Sequence, residues 1–466
     1  MKFRLPLVLA FVAFALCFLL GPLQPYLRET GALTPFYSDE PFTAAFFQSC
    51  FASPWLGACL FTGCLVVIAF LQRWAFCLND DWFGFCWILP FALFANYTRM
   101  GYLIYTTKAT APAYTPVLWT AAILFVIGLI LRLFPRPKWQ PRKFVRWLAA
   151  VCFVIAGFVA YNFSFLDPNF LSILRMKHAA EDGAWEQVLQ IAREGKQEPT
   201  RAQVCLTRLA LFKTGRMGDE LFKYPEGAAA YKAPQNQWLR LMIGPLLYYH
   251  YGKTGFAYRW AMEDMVEYGE RPAYLRYLHS VAQLNSEEAL AQRYERTLAR
   301  TLFYKSSVAH ICASKASKES EFSSIRPLLN YTDQLDGDDG LVEFYLLNSF
   351  ALSEGGSREM VELSLMDGLI TKNLSGFWPR FMALLPTWQG RIPTHYQEAA
   401  LMVAQLQGGA PVSDIPFDPA IQQRFQQLIA ASARMGDNAA NAVALRPEFG
   451  NTYWYYYFFV DGLKTN

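Results

Sequence analysis

Long apolar runs fill the first third of the chain, and short amphipathic ones fill the rest. Runs near residues 5–23, 54–71, 117–133 and 147–165 approach the roughly 20 residues of helix, at 1.5 Å each, that a bilayer core requires. A further run over 82–105 is interrupted. Trp82 to Ala95 is apolar, Asn96, Thr98 and Arg99 follow, and Tyr102-Leu103-Ile104-Tyr105 resumes. From Lys177 onward apolar residues recur with helical spacing, as in Trp185, Val188, Leu189 and Ile191, between short polar or glycine-containing turns. The pattern predicts an all-α chain with two domains. A bundle of about five transmembrane helices occupies residues 1–170, and a soluble helical-repeat domain occupies 171–466.

Charge sharpens the division. Residues 1–176 carry 13 Lys/Arg and 6 Asp/Glu, whereas 177–466 carry 29 and 32, the charge density of a soluble domain. A mean hydropathy of +0.13 averages these two unlike parts, and the small net charge of +4 speaks against a nucleic-acid partner. Lys2 and Arg4 precede the first run, and Arg132, Arg136, Lys138, Arg142, Lys143 and Arg146 crowd the turn between the fourth and fifth, with no acid among them. Basic residues favour the cytoplasmic side, so an even number of crossings must separate these points. The interrupted run over 82–105 is therefore required to span. The fifth crossing then places residues 171–466 outside, which in a bacterium is the periplasmic face of the inner membrane. The first run is long for a signal peptide and lacks a small-residue cleavage site, so it reads as an uncleaved anchor. Tyr26, Trp74, Trp82, Tyr97, Trp139, Trp147 and Tyr161 stand near segment ends, where amphipathic rings favour the headgroup layer.

The second half shows a period. Gly183, Gly215, Gly252 and Asn285 mark turns 32, 37 and 33 residues apart, and Gly355 lies 70 further on. Gly183-Ala184-Trp185-Glu186-Gln187-Val188, Gly252 with Ala257 and Ala261, and Asn285 with Glu288-Ala289 and Tyr294 resemble tetratricopeptide repeats, although Met176 and Arg208 stand where such repeats carry a small residue. The resemblance implies a TPR-like α-solenoid whose stacked helix pairs share one core and expose a concave face. A compact helical domain with accidental spacing is the alternative. The whole chain also resembles multi-pass membrane proteins of Bacteroidota that have no known activity. That likeness rests on Phe46-Phe47-Gln48, Pro54-Trp55-Leu56-Gly57-Ala58, His395-Tyr396-Gln397-Glu398-Ala399 and the aromatic tail.

The tail, Tyr453, Trp454, Tyr455, Tyr456, Tyr457, Phe458 and Phe459, reads either as a cap packed on the last helices or as a docking surface for a partner. Catalytic signatures are scarce. None of the nine cysteines makes a CxxC pair, the five histidines are scattered, and no P-loop, GxGxxG or GxSxG occurs, so no cofactor or metal is implied. Cys205 and Cys312 read as buried thiols. Asp333, Asp336, Asp338 and Asp339 form an acidic turn that fails the EF-hand spacing. Asn96, Asn162, Asn330 and Asn373 open N-x-Ser/Thr triplets of no evident use in a bacterium.

Two functions remain. One is a membrane-anchored scaffold that presents the helical array to a protein or peptide partner. The other is an enzyme of envelope glycan or lipid metabolism, with Asp39 and Glu40 of the first outer loop as its acids and Arg99 nearby.

Overall fold

A computed structural model describes residues 4–25, 27, 53–105, 114–133, 143–164, 168–227, 237–268, 272–299, 321–329, 342–352, 356–388, 390–406, 415–432 and 438–461. Among them there is no strand; the fold is all helical. The chain forms two compact units. One comprises Met1–Leu174, Met265–Leu275 and Arg293–His310, and the other Arg175–Asp264, Arg276–Gln292 and Ile311–Asn466. Each unit is discontinuous in the chain, which a single boundary does not describe.

The first unit contains α1 (Arg4–Leu20), α2 (Pro54–Ala75), a 3-10 helix (Asp80–Trp87), α3 (Ile88–Tyr105), α4 (Tyr114–Arg132) and α5 (Lys143–Phe163). α2 packs on α1, α3 and α4, while α5 packs on α3 and the 3-10 helix. Aromatic rings fill the interior. Phe11 meets Trp87 at 4.6 Å and Phe91 at 5.0 Å, and Phe153 closes on Phe91 at 5.2 Å, separations typical of favourable ring pairs. Gly84 permits a close backbone approach, since a Cβ there would lie 2.3 Å from the Ala149 carbonyl oxygen.

The outer faces of the same helices are apolar too. Trp55, Trp119, Val154 and Phe158 are each more than 60% exposed. α2 and α5 are long and apolar enough to cross a membrane, and only 28% and 17% of their most apolar stretches are buried, unlike the core helices of a soluble protein. These two are fewer than the five spans expected. α1 ends after 17 residues at Gly21-Pro22, and the apolar part of α4 described here, Trp119–Arg132, is shorter still. The run over 82–105 is not one α-helix, because its first turns are wound as a 3-10 helix before α3 begins.

In the second unit the expected turns recur with one geometry. Gly183, Gly215 and Gly252 have φ of 70°, 66° and 77°, and Ser286 has 62°. At each, the N–H of the next residue reaches back five positions, as in Lys253 to the Tyr248 carbonyl at 2.8 Å and Glu287 to that of Ala282 at 2.8 Å. This is the left-handed stop that ends one helix and starts its partner. The turns separate α6 (Pro168–Glu181) from α7 (Trp185–Glu194), α8 (Arg201–Lys213) from the short α9 (Met217–Glu220), α10 (Gln237–His250) from α11 (Thr254–Tyr268), and α12 (Pro272–Leu284) from α13 (Glu288–Ala299). Asn285 is the first residue after α12 and Ser286 takes the left-handed conformation, so the special position falls one residue later than expected. Gly252 serves twice, because a Cβ there would also meet the Leu328 carbonyl oxygen at 2.6 Å.

The later helices are α14 (Val342–Ala351), α15 (Arg358–Ile370), α16 (Leu374–Leu384), α17 (Thr394–Leu406), α18 (Pro419–Ser432), α19 (Asn438–Phe449) and α20 (Tyr453–Phe459). Gly355 lies outside the described residues; the next left-handed turn is at Lys372, φ 61°, between α15 and α16. The helices do not stack only on their neighbours in sequence. α10 packs on α14, and α9 packs on α17. A solenoid's repeats touch only the adjacent ones. This unit instead closes on itself through contacts spanning well over a hundred residues.

Candidate functional site

Three polar assemblies are built from residues the helices bring together. The first lies at one end of the α1–α5 bundle. The start of α1 supplies Arg4, the end of α2 Arg73, the 3-10 helix Asp80 and Asp81, and the start of α5 Arg146. Arg4 pairs with Asp80, and Arg73 Nη2 reaches the same Asp80 Oδ1 at 3.2 Å. Arg146 pairs with Asp81, whose side chain is buried. Arg132, at the end of α4, lies over the Trp74 ring at 4.5 Å, a cation–π contact. The 3-10 winding aims two successive carboxylates at different arginines. The signal for this layer was an acidic doublet between apolar runs whose ends are basic, and sequence reasoning passed over it.

The second assembly is an ionic quartet inside the other unit. Arg201 and Arg208, seven residues apart on α8, both engage Glu343 of α14. Arg201 Nε donates to Glu343 Oε2 at 2.9 Å and Arg208 Nη1 to Glu343 Oε1 at 2.9 Å. Arg208 also pairs with Glu226, and Arg201 Nη1 donates to the Glu226 carbonyl at 2.7 Å. Burial opposes the Arg208 charge, but Glu226 and Glu343 outweigh it and hold the guanidinium above its ordinary pKa. Two cations and two carboxylates balance, as a buried cluster of this kind must. Cys205 on the same helix is a free buried thiol, its pKa pushed up by burial.

The third is a hub on α17. His395 Nδ1 lies 2.8 Å from Glu398 Oε2, and the Phe222 N–H donates to His395 Nε2 at 3.4 Å. Glu398 Oε2 also accepts the Tyr453 N–H at 2.8 Å, and the Glu398 carbonyl accepts Trp454 Nε1 at 2.8 Å. Gln397 Nε2 donates to the Ile392 carbonyl at 2.7 Å, and Gln397 Oε1 accepts the Asp418 N–H at 2.7 Å. His395 and Glu398 are 1% and 2% exposed, so no substrate reaches the pair. The His395-Tyr396-Gln397-Glu398 segment is thus a latch that seats the C-terminal helix.

That seating corrects the docking-surface reading of the tail for three of its residues. Tyr453 and Trp454 are fully buried and Tyr456 is 3% exposed, with its hydroxyl donated to the Ile370 carbonyl at 2.6 Å. Tyr455 and Tyr457 are half-buried, and Phe458 is exposed. Seven consecutive rings on a helix point all round it, so some face inward wherever it packs. Asp39, Glu40, Cys312 and the acidic turn 333–339 lie outside the described residues, as does the side chain of Arg99. Among the described residues no group of three or more His, Cys, Asp or Glu is placed to hold a metal ion.

Two further buried groups stand apart. Asp367 and Ser364, one turn apart on α15, are 3% and 0% exposed, and Asp367 Oδ1 and Ser364 Oγ have no hydrogen-bond partner. Burial pushes the Asp367 carboxyl up to about 7, against a smaller pull from Arg380. At the end of α8, burial brings the Lys213 ammonium down to about 8, and its Nζ donates to the Ser324 carbonyl at 3.2 Å.

No curated protein and no solved structure matches the chain. A family model matches residues 86–460, from within the 3-10 helix to the end of the aromatic helix. By that match, which takes in the latch and the quartet, the chain belongs to DUF6057, a family of unknown function.

Proposed function

We propose that the protein is a membrane-anchored scaffold. Five spans, near 5–23, 54–71, 82–105, 117–133 and 147–165, hold it in the cytoplasmic membrane with the N-terminus inside. The domain of residues 171–466, a closed body of helix pairs joined by left-handed turns, stands on the extracytoplasmic side and binds a protein or peptide there. One observation carries the membrane half of this reading. Arg4, Arg73, Asp80, Asp81 and Arg146 meet in a single charged layer, although they come from four different chain segments. Five helices that alternate in direction bring together those ends, and a charged layer belongs at the headgroups rather than in hydrocarbon. The exposed apolar faces of α2, α4 and α5 suit a hydrocarbon solvent.

The binding half rests on chemistry. The quartet pairs two cations with two carboxylates, and the His395–Glu398 latch is buried, which suits the maintenance of shape rather than turnover. A C-terminal alkaline phosphatase fusion tests the topology. Activity in intact cells is expected, and an inactive phosphatase beside an active cytoplasmic reporter at the same position refutes the placement. For the partner, the full-length tagged chain is crosslinked in cells and purified. A partner recovered at a reproducible crosslink on the second unit supports a scaffold, and none at any site counts against it.

A further inference from the structure

A groove runs along the first unit between α3 and α5. Its volume is about 570 Å³ and its lining is apolar except for Asn96. Small side chains form much of it: Ala92 and Ala95 from α3, Cys152 and Ala156 from α5. Along α5 it extends from Cys152 to Phe163, the C-terminal half of the helix and the half remote from the charged layer at Arg146. The eleven steps of helix from Cys152 to Phe163 correspond to about 16 Å.

That length identifies the occupant. The hydrocarbon core of a bilayer is about 30 Å thick, so one leaflet contributes about 15 Å. A partner's transmembrane helix would need a track of the full thickness, and this groove stops halfway. A single acyl chain of one leaflet fits both the depth and the volume, which is within the range of small-molecule sites. The end at Phe163 is where the headgroup region belongs, because α5 stops there and Thr98 Oγ1 donates to Ser164 Oγ at 3.0 Å just beyond. The half-buried Asn96 lines the groove two residues, about 3 Å of helix, below Thr98, at the depth of a lipid's ester linkage.

We infer that the α3–α5 groove is a binding site for an acyl chain of a diacyl glycerophospholipid of the outer leaflet, with the Asn96 amide N–H donating to the ester carbonyl. The inference rests on the membrane reading of the first unit, and the two fail separately. The full-length chain is reconstituted in phosphatidylethanolamine–phosphatidylglycerol vesicles doped with phosphatidylethanolamine that bears a diazirine in its acyl chain. After illumination, labelled peptides are mapped by mass spectrometry, and the detergent-purified chain is weighed intact. Labelling concentrated on α3 around Ala92 is expected, together with a retained mass of one diacyl phospholipid. In Ala156→Phe, which fills the groove from α5, both fall at least about fivefold, the effect of about 1 kcal/mol of lost affinity. Labelling on the outward faces of α2 and α4 stays unchanged. Ala92→Phe fills the groove from the other wall and gives the same result should the first variant fold poorly. Resistance of the chain to carbonate extraction, combined with even labelling and no response to either variant, overturns the groove inference alone. A retained free fatty acid, or a retained protein segment, overturns it as well. Release by carbonate overturns the membrane reading beneath it.

Discussion

Arg201 and Glu343 lie 142 residues apart in the chain and face each other in the interior as a two-pronged ion pair. Glu343 also serves Arg208, so one carboxylate holds two guanidinium groups of α8 against α14. The pair fastens an early helix to a late one inside the second unit, and it converts a string of helix pairs into a closed body.

Removing Glu343 leaves two buried cations with only Glu226 between them. Glu343→Ala is expected to cost about 3–5 kcal/mol, the size of effect seen when one partner of a buried pair is deleted. Arg216 and Glu186 form a comparison pair, in which Glu186 is largely exposed. Glu186→Ala is expected to cost no more than about 1 kcal/mol. Denaturant melts of both variants in the same detergent give the contrast. Equal losses would show that the quartet does not hold α8 to α14.

The aromatic tail divides into residues that build and residues that remain available. Trp454 is fully buried, packs against Phe425 in a tilted ring pair at 5.0 Å and donates to the Glu398 carbonyl. Trp454→Ala is therefore expected to destabilise the fold by about 3–5 kcal/mol. Tyr457→Ala, at a half-buried position, is expected to cost much less and to leave the latch closed. Limited proteolysis separates them. Cleavage near residue 450 should rise sharply in the first variant and little in the second, and a reversal would mean that the tail is not held as described.

The sequence revealed local devices and concealed distant ones. Gly183, Gly215 and Gly252 were legible because only glycine accepts positive φ without strain, and a recurring glycine therefore marks a recurring turn. Ser286 and Lys372 adopt the same conformation without that mark, which is why Asn285 was placed one residue early and Lys372 was missed. Arg208 is an anomaly in the sequence, a large residue where a tetratricopeptide repeat carries a small one. Its explanation, a pair of carboxylates from residues 226 and 343, could not be read from helical spacing. The latch was visible as a motif but not as a contact, since Phe222 and His395 are 173 residues apart. Nothing in the sequence around Asp80 and Asp81 shows the three arginines at which the 3-10 helix aims them.

Asp367 gives the fold a pH dependence whose sign is fixed by burial. Its carboxyl is raised to about 7 in the folded chain, whereas an unfolded aspartate titrates near 3.9. Between those values the folded state holds a proton that the unfolded state has lost. Stability is therefore full below about pH 4 and declines as pH rises through about 7, by an amount on the order of a few kcal/mol. Asp367→Asn removes the titration. The variant is expected to be more stable than the wild type at pH 8 and to gain about a third as much at pH 5. Melting curves across that range test it, and a wild-type advantage at pH 8 would mean that the carboxylate is not buried uncompensated.

The charged layer yields a test of helix arrangement as well as of energy. Arg4 and Arg73 approach the same Asp80 oxygen from α1 and α2, and their guanidinium groups repel without it. All three side chains are roughly a quarter exposed, so solvent screens the interaction, and a loss of about 1–2 kcal/mol is expected for Asp80→Ala rather than the cost of a deeply buried pair. Arg73→Ala in addition removes the repulsion and should restore part of the loss. A double-mutant cycle on melting temperature isolates the coupling, because each single change leaves the other contacts of the layer in place. Coupling between residues 73 and 80 alone could reflect their nearness in sequence. Coupling between Arg4 and Asp80, 76 residues apart, requires the start of α1 and the end of α2 to share one membrane face, and its absence would separate those two ends.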